Sequence, residues 1–312
     1  MTTNIYFMTL PYRFSALCLF VLITGSLYAQ VPEYNQPFAV AQFINPAYAG
    51  SKGQSGIQAS AKIQFSDLSR YSYDNYLSAD FSCSKMPFDI GIIQSYSRRS
   101  DGSIREYTGG INIARSFRLF RGISLRAGIG GVYSSKIYKP TYGWGDPIAY
   151  YPEIRRTVPR LNGGFVFYNS HFLVGYSASE INRPEQGFYS SYRPDIRHVF
   201  QAAFRISPAG ESGSMEGFYV NLCAIKQGDY LKGIAGFSYR YRSLKAGVSY
   251  TDDNLSGLMA YCGKRVNVSI SYGQILQRTS LDFGKSLQLS CLWNFGKENE
   301  KRSGIDLIGG LF

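Results

Sequence analysis

Apolar and polar residues alternate along much of the chain after Gly56. In the stretch 57–65 the odd positions carry Ile, Ala, Ala, Ile and Phe, while the even positions carry Gln, Ser, Lys and Gln. The stretch 287–295 repeats the pattern with Leu, Leu, Cys, Trp and Phe at its odd positions. Because successive side chains of a β-strand point to opposite faces, this period of two predicts strands with one apolar and one wet face.

The pattern recurs in strand-like segments of about ten residues, with no helical segment of consequence between them. An even number of such strands is typical of bacterial outer-membrane barrels, where closure leaves no unpaired edge in lipid. We therefore predict an all-β fold, a transmembrane outer-membrane β-barrel of about 14 antiparallel strands over residues 56–295. The predicted strands lie near 56–66, 74–83, 87–97, 103–115, 123–137, 159–168, 170–178, 195–206, 217–226, 230–239, 243–251, 255–262, 265–273 and 284–295.

A soluble β-sandwich or propeller is the alternative all-β fold. The polar face of these strands carries Ser, Gln, Asn, Lys and Arg, which is too wet for the dry core of a sandwich, so the pattern favours the barrel. The lengths of the connections also favour a barrel, because the two longest, about 138–158 and 179–194, fall at the same end. We expect that end to be external and the tight turns to be periplasmic, with 207–216 as the one sizeable exception.

The residues before the first strand fall into two parts. Residues 1–29 read as a secretory signal peptide, with an apolar run at 16–24 and cleavage after Ala29. Residues 30–55 are then expected to form a periplasmic N-terminal segment, and whether it lies inside the barrel or beneath it stays open. Within it, Gln42–Gly50 is predicted to be a fixed, non-helical elbow, because Pro46 disfavours a helical Asn45 and Gly50 accepts positive φ.

The amino-acid composition limits the partners that this chain is expected to bind. The formal net charge is +12, but the 33 Lys and Arg residues are scattered without a basic block, so we expect contact with outer-membrane lipid headgroups and no nucleic acid. Aromatic residues make up 16% of the chain, which suits strands with one wet and one apolar face. Four cysteines remain after signal cleavage, all in predicted strands at irregular spacing, and we expect mostly unpaired thiols: Cys83, Cys223, Cys262 and Cys291.

Motifs for catalysis or cofactor binding do not emerge from the sequence. The chain has two histidines, His171 and His198, and neither a nucleophile elbow nor a phosphate-binding loop. Asp252 and Asp253 lie in a predicted turn but supply too few ligands for a calcium loop. We therefore predict a non-enzyme with no cofactor and no metal site.

The connection 138–159 is the most unusual external segment. Trp144, Tyr150, Arg155 and Arg156 lie in it, and aromatic residues and arginine are the favoured anchors of protein interfaces. The sequence leaves two possibilities open: the loop binds a protein, or it folds inward as a plug or onto neighbouring loops.

Several motifs resemble the PorP/SprF family of outer-membrane proteins. Asn-Pro-Ala-Tyr-Ala-Gly-Ser at 45–51 is similar to the family's N-terminal signature, and Gly-Asp-Pro at 145–147 follows the fifth strand. Arg-Leu-Asn-Gly-Gly-Phe at 160–165 and Phe-Leu-Val-Gly-Tyr-Ser at 172–177 resemble its mid-barrel pattern in the same order. Residues 296–312 continue past the last predicted strand, which departs from the family. We predict that they form a periplasmic tail, with a docking peptide and a disordered end as open alternatives.

The resemblance implies a role in or beside the type IX secretion system, in protein export and in some members gliding motility. It implies a secreted surface protein or adhesin as partner, along with secretion components of the periplasm and outer membrane. A passive porin-like channel and a purely structural subunit of a membrane complex remain alternatives. The candidate motif and partner-binding residues are Asn45, Pro46, Ala47, Tyr48, Gly50, Trp144, Asp146, Tyr150, Arg155 and Arg156.

Overall fold

A computed structural model gives the fold. It describes residues 34–65, 71–82, 86–99, 102–120, 122–139, 152–188, 190–206, 216–251, 254–275 and 284–295. The predicted signal peptide, Cys83, the acidic pair of the predicted 252–254 turn and the tail 296–312 therefore lie outside the described residues. No helix in the described part of the chain is long and apolar enough to cross a membrane.

Antiparallel strands form a closed barrel in which each strand pairs with its neighbours in sequence and the last pairs with the first. Gly56 lies opposite Asn294, so closure removes both sheet edges. The predicted fold of fourteen strands is confirmed. The strands are β1 (Gly56–Phe65), β2 (Tyr71–Phe81), β3 (Asp89–Arg98), β4 (Ile104–Arg118), β5 (Ser124–Tyr138), β6 (Ile154–Tyr168), β7 (Phe172–Ser179), β8 (Arg197–Ile206), β9 (Gly217–Gln227), β10 (Tyr230–Tyr241), β11 (Leu244–Thr251), β12 (Asn254–Cys262), β13 (Val266–Ile275) and β14 (Lys285–Asn294).

The two faces of the wall follow the alternation in the sequence. In β1, Ile57 and Phe65 are exposed on the outside, whereas Gln58 and Lys62 are buried on the inside. In β14, Trp293 is exposed and Gln288 is fully buried. An apolar outer surface around a polar interior is the arrangement that lipid requires of a spanning barrel.

Two ends of the barrel can be distinguished by their connections. Residues 139–153 and 180–196 connect strands at what we call the long-loop end. The turns 169–171 and 242–243 lie at the opposite, short-turn end, where β1 begins. The predicted grouping of the long connections at one end is therefore seen, while their external location remains a prediction.

One predicted boundary is wrong, because β6 begins at Ile154 rather than near 159. Ile154 pairs with Tyr138, so Arg155 and Arg156 belong to a strand and not to the loop. The sequence did not predict this part of β6 because proline cannot donate a hydrogen bond to a neighbouring strand, and Pro159 therefore indicated a loop. The ladder between β6 and β7 begins only at Gly163, and the Pro159 carbonyl instead accepts from Asn182 Nδ2 at 2.9 Å.

Residues 34–51, which we call the luminal segment, run through the barrel interior. Asn35 donates to Ser286 near the long-loop end at 3.0 Å, while Gly50 donates to Asp80 near the short-turn end. All of its residues are buried except Phe43, which is partly buried. The sequence left open whether this segment lies inside the barrel or beneath it. Residues 34–51 lie inside, because polar side chains of the barrel wall bind their backbone in the lumen.

Candidate functional site in the barrel lumen

The luminal segment is built from three short helical turns. A 3-10 turn spans Pro37–Val40, the helix α1 spans Ala41–Ile44, and a second 3-10 turn spans Pro46–Tyr48. Asn45 between them is extended (φ −145°, ψ 117°), as expected for a residue before proline. The prediction of a non-helical elbow is therefore right at Asn45 and wrong on both sides of it. On the following side, Pro46 at the first helical position favours a turn.

Asn45 links the segment to the far wall of the barrel. Its Oδ1 caps the second 3-10 turn by accepting from Ala47 N at 3.0 Å. Its Nδ2 lies 3.3 Å from the carbonyl oxygen of Phe165 and 3.2 Å from that of Tyr176. The side chain is completely buried, so the cap and the cross-link depend on an asparagine in this position.

Glycines in the wall make room for this close approach. A Cβ on Gly164 would lie 2.3 Å from Asn45 Oδ1, and a Cβ on Gly128 would lie 2.5 Å from Ala47 N. Any larger residue at these positions would collide with the segment, so the wall is shaped to the segment that it holds.

Arg126 clamps the end of the second 3-10 turn. Its Nε donates to the Ala47 carbonyl at 2.7 Å and its Nη2 donates to the Ala49 carbonyl. The same Nη2 lies 2.6 Å from Asp89 Oδ2, and the two charged side chains are only 3% and 1% exposed. A buried charge needs both a counter-ion and satisfied hydrogen bonds, and Arg126 has both only when the segment is seated.

Asp80 and Asp89 surround Gly50. Asp80 accepts from Gly50 N and, at 3.0 Å, from Gln42 Nε2. Gly50 has φ 65°, which confirms the predicted positive φ, and a Cβ there would lie 2.4 Å from Asp89 Cβ. Glycine is therefore required at this position both for its backbone conformation and for space.

Tyr48 anchors the apolar side of the segment. It is 1% exposed and packs edge-to-face against Phe38, with 6.5 Å between the ring centroids. Both rings belong to an apolar cluster with the wall residues Leu173 and Ala203. The Tyr48 hydroxyl finds no hydrogen-bond partner among the described residues, and burial raises its pKa well above the usual value, so the phenol stays neutral.

The connection between β7 and β8 packs against the inner side of the wall at the long-loop end. Its Glu180 and Gln186 are buried, and Glu180 Oε1 lies 3.4 Å from Arg160 Nε. Gln186 accepts from Lys136 Nζ at 2.7 Å, and Arg160 also pairs with Glu106. This network fastens the connection to the inner faces of β4, β5 and β6.

The structure brings together only one of the two groups of predicted site residues. Asn45, Pro46, Ala47, Tyr48 and Gly50 all lie in the lumen, where none is exposed.

The second group does not form a described site. Trp144, Asp146 and Tyr150 lie outside the described residues. Arg155 is exposed on β6, and Arg156 is half-buried and pairs with Glu185.

Arg126, Asp89, Gly128 and Gly164 were missed by sequence reasoning. All four take inward positions of predicted strands, and a charged residue facing a lumen was the signal that could have found the first two.

Among the described residues, neither a metal-ligand cluster nor a disulfide contributes to this site. No group of three or more His, Cys, Asp or Glu side chains in the described ranges is placed to hold a metal ion. Cys223, Cys262 and Cys291 are not in disulfides, and the first two are buried.

Comparisons with known proteins agree with the fold. A model of the family described as type IX secretion system membrane protein PorP/SprF matches residues 26–293. A search among curated proteins gave no match.

Solved structures similar in shape are distant in sequence. The Pseudomonas putida toluene transporter TodX has a TM-score of 0.49 and 10% identity, covering 88% of this chain and 100% of that chain. The Acinetobacter baumannii outer membrane protein Omp33 has a TM-score of 0.45 and 10% identity, covering 78% and 100%. A Pseudomonas aeruginosa FadL homologue has a TM-score of 0.45 and 11% identity, covering 82% and 94%. Likeness at this level says nothing about what this chain binds or transports.

Proposed function

We propose that this chain, which belongs to the PorP/SprF family of type IX secretion system membrane proteins, holds or guides a secreted surface protein during its export. It is an outer-membrane barrel, and its associations are with type IX secretion components. The proposed partner is a surface protein such as an adhesin, in a system that also serves gliding motility.

The occupied lumen is the observation that carries this proposal. Within the described residues, the luminal segment and the connection between β7 and β8 fill the interior through buried contacts at both ends. A polypeptide passing through the barrel would have to displace both, and with them the hydrogen bonds that Arg126 donates to the segment. This supports a role in which the partner is held at the rim or the outside rather than conducted through the centre.

The same observation weighs against a passive channel. Purified wild-type protein in planar bilayers is expected to show no steady open conductance. A variant lacking residues 34–51 that still gives a heat-modifiable barrel should conduct, because the segment occupies the lumen in the intact chain. Steady conductance of the wild type would support the channel instead.

The proposed contact surface is the long-loop end. Arg155 is exposed there on β6, beside the connection that contains Trp144 and Tyr150. Aromatic residues and arginine are the usual anchors of a protein interface, so these residues remain the candidates for partner contact.

Deletion of the gene is the direct test. We expect loss of surface display of a specific adhesin, or altered gliding, with unchanged permeability to small solutes. Complementation with the wild-type chain should restore display, and a chain carrying Arg155→Ala and Trp144→Ala should restore it poorly while remaining a folded barrel. Normal surface profiles in the deletion strain would contradict the proposal. Affinity capture from native membranes would identify the partner.

A further inference from the structure

Two arginines face each other on the outer wall of the barrel at the long-loop end. Arg98 of β3 lies directly opposite Arg105 of β4, and we call them the arginine pair. Both take outward positions, because their strand neighbours Ser97 and Glu106 contact groups on the inner side. The Cα atoms of directly opposite residues are about 4.5–5.5 Å apart, and like charges placed in this way destabilise a sheet. An anion shared by the two guanidinium groups would remove this cost.

Arg155 extends the pair into a row. Arg105 lies opposite Ile137 of β5, and Ile137 lies opposite Arg155 of β6. Neighbouring strands are about 4.8 Å apart, so Arg155 is roughly 10 Å from Arg105 along the row. Arg155 is also a candidate for contact with a secreted partner. A test that separates the two roles therefore has to use Arg98 and Arg105.

Tyrosines lie next to the arginine pair on the outer wall. Tyr96 and Tyr107 are opposite each other one outward position closer to the short-turn end, with 4.7 Å between their ring centroids. Tyr73 lies opposite Arg98, and its ring centroid is 6.4 Å from that of Tyr96. Both guanidinium groups act electrostatically on the Tyr96 hydroxyl. Tyrosine is enriched where a barrel passes from hydrocarbon to headgroups, so the arginine pair lies at the headgroup level.

Carboxylates of the neighbouring elements leave this opposition of charges in place. Within the described residues, neither arginine of the pair forms an ion pair. Asp74 and Glu106 have partners on the inner side of the wall, and Glu153 is exposed before β6, separated from the pair by β5. Three further acids of the neighbouring connections lie outside the described residues: Asp67, Asp101 and Asp146.

We propose that Arg98 and Arg105 together bind the phosphate group of a membrane lipid in the leaflet at the long-loop end. A guanidinium presents parallel N–H donors that match a phosphate, so two of them on adjacent strands can hold different oxygens of one phosphate. The acyl chain of the lipid then lies along the apolar wall beyond the tyrosines, where Ile92 and Ile111 are exposed. This site is independent of the proposed role in export.

Microscale thermophoresis of the delipidated full-length chain in a neutral detergent tests the proposal. Dioctanoyl phosphatidylglycerol is the phosphate lipid, and dioctanoylglycerol and sodium phosphate are the comparison ligands. We expect the phosphate lipid to bind more tightly than either of them. Arg98→Gln and Arg105→Gln should each weaken its binding about tenfold, because each removes charge-assisted hydrogen bonds. Arg98→Lys should weaken it less, because the charge remains and only the fork is lost.

Arg115→Gln is the matched control. Arg115 is exposed on the same outer face of β4 near the short-turn end, and it lies opposite Ala127 rather than a second cation. The control removes the same charge and should leave the affinity unchanged. Without lipid, Arg98→Gln should not lower the urea midpoint, because it removes one of two opposed like charges.

Four results would overturn the assignment. Equal affinity for dioctanoylglycerol would exclude a role for the phosphate, and equal affinity for sodium phosphate would exclude a lipid site. Equal weakening by Arg115→Gln would show a general attraction to the basic wall. A lower urea midpoint of Arg98→Gln without lipid would show a structural arginine instead. If Arg98→Gln fails to give a heat-modifiable barrel, Arg105→Gln and the three ligands on the wild type decide.

Discussion

Replacing Arg126 by methionine should release the luminal segment from the barrel wall. The substitution keeps an unbranched side chain of similar length but removes the charge, so Asp89 is left as a buried carboxylate and the carbonyls of Ala47 and Ala49 lose their donor. Breaking a buried pair by removing one partner costs about 3–5 kcal/mol. Both side chains are almost completely buried here, so we expect a loss of about 4 kcal/mol in the free energy of unfolding.

Urea titration of the full chain in detergent micelles, followed by tryptophan fluorescence and by heat-modifiable migration, measures this loss. Arg118→Met is the matched control, because Arg118 is exposed at the end of β4 and loses the same charge. We expect the control to change stability by less than about 0.5 kcal/mol.

The double variant Asp89→Asn and Arg126→Met separates two costs of Arg126→Met: the buried charge left on Asp89 and the hydrogen bonds lost by the segment. With both charges of this pair gone, neither leaves its partner as a buried ion, so the double variant should be more stable than Arg126→Met alone by about 1–3 kcal/mol. Equal stability of Arg126→Met and the wild type would refute the reasoning. So would a double variant whose loss is the sum of the two single losses.

Three further predictions concern the same segment. Gly128→Val should destabilise the barrel by about 1–3 kcal/mol, because its Cβ would meet Ala47 N at 2.5 Å, whereas Gly131→Val has open space and should be tolerated. Tyr48→Ala should cost about 3 kcal/mol in a urea titration and Tyr48→Phe almost nothing, since the buried hydroxyl has no partner in the described structure. Burial lowers the pKa of Lys52 to about 7, partly offset by Asp80, so the unfolded chain holds a proton that the folded chain has lost. Stability should therefore rise between pH 7 and about 10, and Lys52→Met should flatten that rise.

The barrel wall was predictable because two different solvents act on it. Lipid outside and a wet interior force an apolar residue at every second position, so local alternation revealed the strands and their number. The start of β6 was not predicted because the usual alternation is interrupted there by Arg155, Arg156 and Pro159. On one side this part of β6 contacts a loop rather than a strand. Local sequence carries no mark of such an exception.

The position of the luminal segment could not be predicted for a different reason. Its contacts join residues far apart in sequence, such as Asn35 with Ser286 and Asn45 with Tyr176. A segment that is surrounded by the barrel wall has no solvent-facing side. Its sequence therefore shows no periodic alternation of apolar and polar residues that would predict its position. The pairing of Arg126 with Asp89 could not be predicted either, since each residue alone indicates only a polar side chain that faces a lumen.

The motif at 45–51 lies in the lumen, where none of its residues is exposed, and its partner-binding role remains a prediction. Asn45, Tyr48 and Gly50 were candidates for partner contact, yet each is buried against the wall, so a partner cannot reach them while the segment is seated. If these residues contacted a partner, replacing Asn45, Pro46 and Tyr48 together by alanine would impair secretion more than assembly. The buried cap and the aromatic anchor instead predict a lower urea midpoint of the folded barrel first, with any secretion defect following from it. An unchanged urea midpoint together with lost secretion would return these residues to direct contact with a partner, and would require the segment to leave the lumen during export.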